Sequence, residues 1–447
     1  MSLYDAMMIG VAGLDANSKA LSISSSNIAN VNTIGYKTTN SAFATMLASA
    51  TGSQGASDSS VMASAQQNIV QQGLLISTSS PTDLAISGNG FFQVSTQPNL
   101  QGQSLYTRAG SFTPDSAGNL ENTAGLYLMG WAINGNANPT TNPNALQAIN
   151  LSNLAGKGEA TTTMSLQQNL QASATQVSGY DINTNSMAGG QVTPDFTRTI
   201  NVYDSQGGSQ PVQIDYVKTG ANKWNYEVTY QGDQNNIDTT GTGLPPPMIA
   251  AGELDFNSDG SLANVIPNGG TGSPASGSFA LNIPWNPSTS GLQPQAISVD
   301  MGTVGKTDGT SQFDSDSVMT NANVDGAVFG SVTGVKIDPD GTVNASYSNG
   351  LSEAVFKIPL VTFANPDGLS SVSGNAFAQT AQSGSAMVNP AGTGGAGSIA
   401  SNSLEGSTVD LATEFTNMIT TQRAYSASAR VVTTASQMLD TLMQIQG

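Results

Sequence analysis

A mainly β chain with long α-helical termini is the fold class this sequence predicts, and three observations predict it. Residues 3 to 30 and the last forty residues carry apolar side chains at helical spacing. The stretch between them breaks into short β-like runs separated by Gly, Asn, Asp and Pro. Three of those breaks share one form, with Asp and Gly set between apolar strand residues as hairpins require.

The first helix is marked by Leu3, Met7, Leu14, Leu21 and Ile28 on one stripe. Four of them lie seven apart, and the alternate positions Gly10, Asn17 and Ser24 are small or polar, so the stripe is half of a heptad seam. Ser2-Leu-Tyr-Asp5 resembles a capping box, and Asn30 to Gly35 supplies stop signals. The last helix carries a more complete stripe of Leu411, Phe415, Met418, Gln422, Tyr425, Ala429, Val432, Ser436, Leu439 and Met443. Ser407-Thr-Val-Asp410 reads as its capping start, and at 1.5 Å per residue it would run for about 55 Å. Ile419, Val431, Leu442 and Ile445 lie off the stripe. They suit contact with several neighbours in an assembly, with helices that order on assembling, while an intramolecular helical hairpin is the plainer alternative.

Between the helices, the turns are Phe112 to Leu120, Phe256 to Leu262 and Ile337 to Val343. Alternation is clear in Val212-Gln-Ile-Asp-Tyr-Val217 and Trp224-Asn-Tyr-Glu-Val-Thr-Tyr230, which predicts sandwich or barrel-like β domains. Residues 48 to 66, rich in Ala, Ser and Gly, read as a linker, and 136 to 144, with two prolines, as a crossing point between domains.

Composition narrows the chemistry. The 447 residues include no Cys and no His, which excludes disulfides, thiolate sites and histidine acid/base work. Charged residues are 9% of the chain and the formal net charge is −18, which argues against nucleic acid as a partner. The charge is uneven: residues 1 to 80 carry −1, residues 81 to 400 carry −15 and residues 401 to 447 carry −2. No apolar run reaches the roughly 18 to 20 residues of a membrane span, so no membrane insertion is expected. Asp5 stands where a signal peptide would be basic, so export without a cleaved signal, or none, is expected.

Motifs for catalysis or metal binding are weak. Asp255-Phe-Asn-Ser-Asp-Gly260 matches the first half of a calcium loop, but its closing position is Ile266, and a plain Asp-Gly hairpin fits better. Gly88-Asn-Gly90 lacks the third glycine of a phosphate loop. Paired carboxylates could still cleave glycosides, yet any pair chosen among 30 acids would be arbitrary. No catalytic residue, cofactor or metal is expected.

Asn27-Ile-Ala-Asn-Val-Asn-Thr-Ile-Gly-Tyr-Lys37 resembles the N-terminal signature of the bacterial flagellar rod and hook proteins, through Asn27, Asn30, Gly35, Tyr36 and Lys37. Glu405-Gly-Ser-Thr-Val-Asp-Leu-Ala-Thr-Glu-Phe415, with Asp410, and Gln422-Arg423-Ala-Tyr425 resemble the closing motif of the same family. Asp83 to Phe92 and Phe363 to Leu369 are similar to landmarks of its inner β domain. Thr408 stands where that family usually has Asn, and Thr also caps helices.

The resemblance implies terminal helices at 1–30 and 405–447, a connecting segment at 31–75, and a discontinuous inner β domain at 76–145 and 330–404. An outer β domain at 146–329 would be the insert that hook-type members carry. It implies a helical homopolymer, with Leu3, Met7, Leu14, Leu21, Ile28, Leu411, Phe415, Met418, Tyr425, Val432, Leu439 and Met443 as a coiled-coil-like inner core. The curved tube would act as a universal joint from rod to filament, with an export channel lined by polar residues such as Ser18, Asn417 and Gln437. The implied partners are further copies, distal rod, hook cap and hook-filament junction proteins, and the flagellar export apparatus, at an extracellular hook on the basal body. A distal rod subunit is the alternative, and a secreted polysaccharide-active enzyme the remote one.

Overall fold

The computed structural model describes residues 3–47, 59–99, 102–133, 142, 145–152, 154–268 and 277–446. The linker residues 48–58, most of the crossing segment 136–144 and the side chains of Leu3 and Ile445 lie outside them. The chain is mainly β between an N-terminal helix, Leu3–Ala29, and a C-terminal helix, Leu411–Gln446. It divides into two compact units, one of residues 1–154, 334–346 and 352–447, the other of 155–333 and 347–351.

The first unit holds both helices and most strands of a branched 13-stranded sheet. Its main core gathers Leu84, Ile86, Phe92, Val94, Leu105, Phe112, Leu128, Ile149, Ile358 and Leu360. A second cluster stacks Phe91, Tyr106, Phe363 and Phe377 edge to face around Ile69. Two expected boundaries move. Residues 146–154 belong here and not to the insert, because Leu146–Ala148 pairs with Tyr127–Ala132 and Ile149 is in the main core. The segment 31–75 is more than a connector. Thr39–Leu47 and Ser59–Gln67 form an antiparallel hairpin that packs on the N-terminal helix, so part of the expected linker is strand.

The second unit is a sandwich. One sheet is an antiparallel meander of Phe196–Tyr203, Ser209–Gly220, Lys223–Tyr230, Met248–Phe256 and Leu262–Pro267. The other is built on Thr163–Gln171, which lies parallel to Gln295–Asp300 and Thr310–Phe313 and antiparallel to Val318–Val324. Their inner faces share one core rich in Trp224, Tyr216, Tyr226, Phe279 and Trp285.

Alternation in the meander predicts one wet face, but Asp215 and Glu227 on that face are buried. The segment following Thr163–Gln171 lies over it, since Glu227 accepts hydrogen bonds from the Tyr180 hydroxyl (2.8 Å) and the Met187 and Ala188 amides (3.0 and 2.6 Å). A buried carboxylate with three donors is satisfied and holds the covering segment down.

The three expected turns share one geometry. In each, the first residue of the loop donates its amide to the carbonyl four residues on, and the glycine at the fourth place donates back: Asp115, Asn119 and Gly118; Asn257, Ser261 and Gly260; Asp338, Thr342 and Gly341. All three glycines have φ between +82° and +87°, a conformation that a Cβ would strain. The Asp259 carboxylate accepts from Ser261 in that turn, which accounts for its position without a cation.

Burial raises the pKa of Tyr216 and Tyr226 well above the ordinary phenol value. A folded pKa above the unfolded one gives stability that is complete below pH 10 and is lost as pH rises beyond it. Tyr226 is also buried with its hydroxyl unpartnered among the described residues. Tyr226→Phe should therefore be neutral or stabilising by up to about 1 kcal/mol at pH 7, and should flatten the alkaline fall in stability. Urea denaturation at pH 7 and pH 10.5 checks both.

Candidate assembly site

The two terminal helices run antiparallel and meet along a line that the apolar stripes do not mark. The N-terminal helix buries Gly10, Gly13, Ala16, Ala20, Ser24 and Asn27. A Cβ on Gly10 would sit 2.8 Å from Val432 Cγ2, and one on Gly13 would sit 3.0 Å from Ser428 Oγ. Asn27, about four turns beyond Gly13, reaches Glu414 near the other helix's start. Small residues at steps of three and four let the two backbones approach, and larger side chains must lie on the flanks.

The expected seam residues accordingly divide. Met7, Leu14, Leu21 and Ile28 are half-buried beside the contact line, as are Met418, Val432 and Leu439. Leu411, Phe415, Tyr425 and Met443 are exposed, together with Ile419, Val431, Met438 and Leu442. The close contact within the chain therefore runs along small residues, and the stripe residues flank it or stay exposed. The stripe was read by side-chain size, whereas the close contact selects for smallness.

Below the helix pair lies a buried knot that ties the ends of the chain together. The N-terminal helix stops where the Asn30 side-chain amide donates to the Ser26 carbonyl at 2.8 Å. Gly35 follows at φ +70°, donating its amide to the Glu405 carbonyl at 2.8 Å. A Cβ there would lie 2.7 Å from the Ala109 nitrogen, so sterics and backbone both require glycine. The Asn27 side chain is used fully: its Nδ2 donates to the Thr39 carbonyl and to Glu414 Oε1, both at 2.8 Å. Its Oδ1 accepts from the Tyr36 hydroxyl and the Thr39 amide, both at 3.1 Å.

Lys37 and Glu405 are completely buried and pair at 2.6 Å. Lys37 also donates to the Gln71 carbonyl. The Glu405 carboxylate takes in addition the Gly73 amide at 2.7 Å and Arg108 at 3.4 Å. Burial lowers the Lys37 pKa, and the facing Glu405 opposes that shift. Arg108 donates its second terminal nitrogen to the Gly88 carbonyl at 3.0 Å and lies over the Phe91 ring.

The C-terminal helix begins at Leu411, and its cap is Asp410, which accepts the Thr413 amide at 2.9 Å. That bond holds the Asp410 carboxyl below its ordinary pKa. Thr408 has another task, corrected from capping: its hydroxyl accepts the Thr38 amide at 2.8 Å and pairs with the Thr38 hydroxyl. Gln422 and Arg423 of the motif point outward with Ile419, Ser426, Ala427 and Arg430 along one open groove. Neither arginine has an ion pair among the described residues, and Asp15 is paired with Lys19 on its own helix.

Sequence reasoning had no role for Arg108 or Glu414. The available signal was scarcity: in a chain this poor in charge, an isolated Arg beside the Gly-Ser-Phe turn at 110–112 was worth pairing with a lone acid elsewhere.

Comparison with known proteins fits this arrangement. Family models match at residues 7–37 (flagella basal body rod protein), 85–169 (flagellar hook protein FlgE/F/G D1 domain), 183–327 (flagellar basal body protein FlaE D2 domain) and 400–445 (flagellar basal body rod FlgEFG protein C-terminal). The chain is similar to the flagellar hook protein FlgE of Rhizobium meliloti, at 35% identity over the whole of both chains. It is also similar to that of Caulobacter vibrioides (31%, the whole of both) and of Escherichia coli K12 (31%, 98% of both).

Glu405→Gln would leave two buried cations without a counter-charge. It should cost about 3–5 kcal/mol in the first unit, read by chemical denaturation, while the second unit melts as before. Gly10→Val should cost about 1–3 kcal/mol by overpacking and should raise amide exchange in both terminal helices without altering the β strands.

Proposed function

Because this chain belongs to the flagellar hook protein family, and is a structural component of the bacterial flagellum, we propose that it is the repeating subunit of a curved, open helical tube. That tube couples rod to filament as a universal joint. An open tube requires a heterologous contact, in which one face of each copy meets a different face of the next. The observation that supports it most is the C-terminal helix. Its inner side is committed to the N-terminal helix, yet Phe415, Ile419, Val431, Met438, Leu442 and Met443 remain about half exposed or more. Six large apolar side chains along one helix are more than an isolated chain would leave in water, and a second copy would cover them.

The flanks of the same helix pair carry uncharged polar groups, including Asn417, Thr420, Thr433 and Gln437. In a tube with the helices innermost these would line the channel, offering passing chains no fixed charge to bind. The acidic β units would lie outward and slide on polar contacts as the tube bends, transmitting torque. Distal rod protein below, cap and junction proteins above, and the flagellar export apparatus as the route without a cleaved signal complete the proposal.

Ile419→Asp and Leu442→Asp alter side chains that the folded chain leaves exposed. Each variant should melt like the parent within about 0.5 kcal/mol and fail to form tubes under conditions where the parent polymerises. Electron microscopy decides it, and normal tubes from both variants would remove the helix stripe as the assembly surface.

A further inference from the structure

A pocket of 380 Å³ opens in the first unit between the strands that carry Phe91, Thr362 and Met387. Its walls are aromatic, from Phe91 and Phe363, and its mouth is apolar, since Val70 and Met387 are each about half exposed. Arg108, only 2% exposed, also lines it. The terminal nitrogens of that guanidinium are used, one by Glu405 and one by the Gly88 carbonyl. Among the described residues its Nε–H has no partner, and neither does the buried hydroxyl of Thr362, which lines the same pocket.

Charge makes the same point. Lys37 and Arg108 share Glu405, and among the described residues no other carboxylate lies within ion-pair distance of either. A fully buried cluster of two cations and one anion lacks one negative charge. An N–H and an O–H donor beside an excess positive charge suit one ligand chemistry, a carboxylate accepting from both.

We infer that this pocket is a carboxylate-binding site, and that its occupant is an Asp or Glu side chain carried by a second copy of the chain. The second copy is the source favoured by charge. Each copy has 30 acidic against 12 basic residues, and carboxylates such as Glu159, Asp314 and Asp316 stand exposed on its second unit, where an acidic side chain can enter an apolar mouth. The inference about the occupant rests on the self-assembly reading, whereas the pocket's chemistry does not.

The test uses the full chain, ¹⁵N-labelled and held monomeric, titrated with sodium acetate against sodium chloride at matched ionic strength. The Arg108 Nε–H resonance should shift saturably with acetate, and Thr362→Val should weaken that response about fivefold, the loss of one hydrogen bond. A response no greater than that to chloride, or one unchanged by Thr362→Val, overturns the site. For the occupant, saturating acetate and Thr362→Val should each raise the critical concentration for polymerisation about fivefold, with the melting of the monomer unchanged. Polymerisation indifferent to both overturns the second copy as the source. A parent chain that never polymerises counts against the assembly reading and the occupant alike, and the monomer titration still decides the pocket.

Discussion

The buried carboxylate of Glu405 is the constraint on which the first unit depends. Its backbone receives Gly35 and its side chain receives Lys37, Gly73 and Arg108, so one residue holds three separate stretches of chain. Taking a carboxylate out of water is expensive, and only this density of donors makes the position tolerable. The arrangement also fixes direction. With Gly35 and Thr38 bonded to residues 405 and 408, the first helix must leave and the last helix must enter at one place, and antiparallel packing follows from that shared origin. Asn27 and Glu414 then set the register of the pair one turn above the knot.

That register explains why the helix contact is lined by Gly, Ala and Ser. Two helices launched from a common point about the width of a residue pair apart have no space for leucines between them. The heptad leucines are displaced to the flanks, half-buried, and the largest apolar groups of the C-terminal helix face away. A packing device inside the chain thus creates the apolar outer surface that the proposed assembly would cover. Charge cooperates: the helices are nearly neutral, so surfaces brought together along them carry little repulsion, while the −15 of residues 81 to 400 keeps the β units soluble.

Much of the fold was legible. Helical termini, a β middle and the three Asp-Gly hairpins follow from local pattern, because caps, glycines at positive φ and alternation act within a few residues. The site was legible only as a motif. Asn27, Gly35, Tyr36 and Lys37 could be picked out, but Glu405 and Glu414, to which Lys37 and Asn27 bond, lie 368 and 387 residues away, and no periodicity spans that distance. The hairpin of Thr39–Leu47 with Ser59–Gln67 was hidden by its Ala and Ser content, which reads as linker until a helix covers it. The boundary at 146 was hidden because Leu146–Ala148 is an ordinary short strand, and nothing in its composition says which sheet it joins.

The buried knot also separates two demands that a polymer subunit has to meet. In the proposed tube, contacts between copies must be replaceable, since bending would change the spacing of neighbours, and such contacts are best made by many weak, non-directional apolar and polar groups. Contacts within a copy must not change, or force would unfold the subunit before it moved the next one. Directional, desolvated, multiply bonded charges serve that second purpose, and in the first unit they occur where both helices join the β sheet. The sparing use of charge elsewhere is consistent with this division. A buried ion pair is specific about its partner only when few other charges compete for it. In a chain where charged residues are 9% of the total, Lys37 and Glu405 have few wrong partners to find during folding.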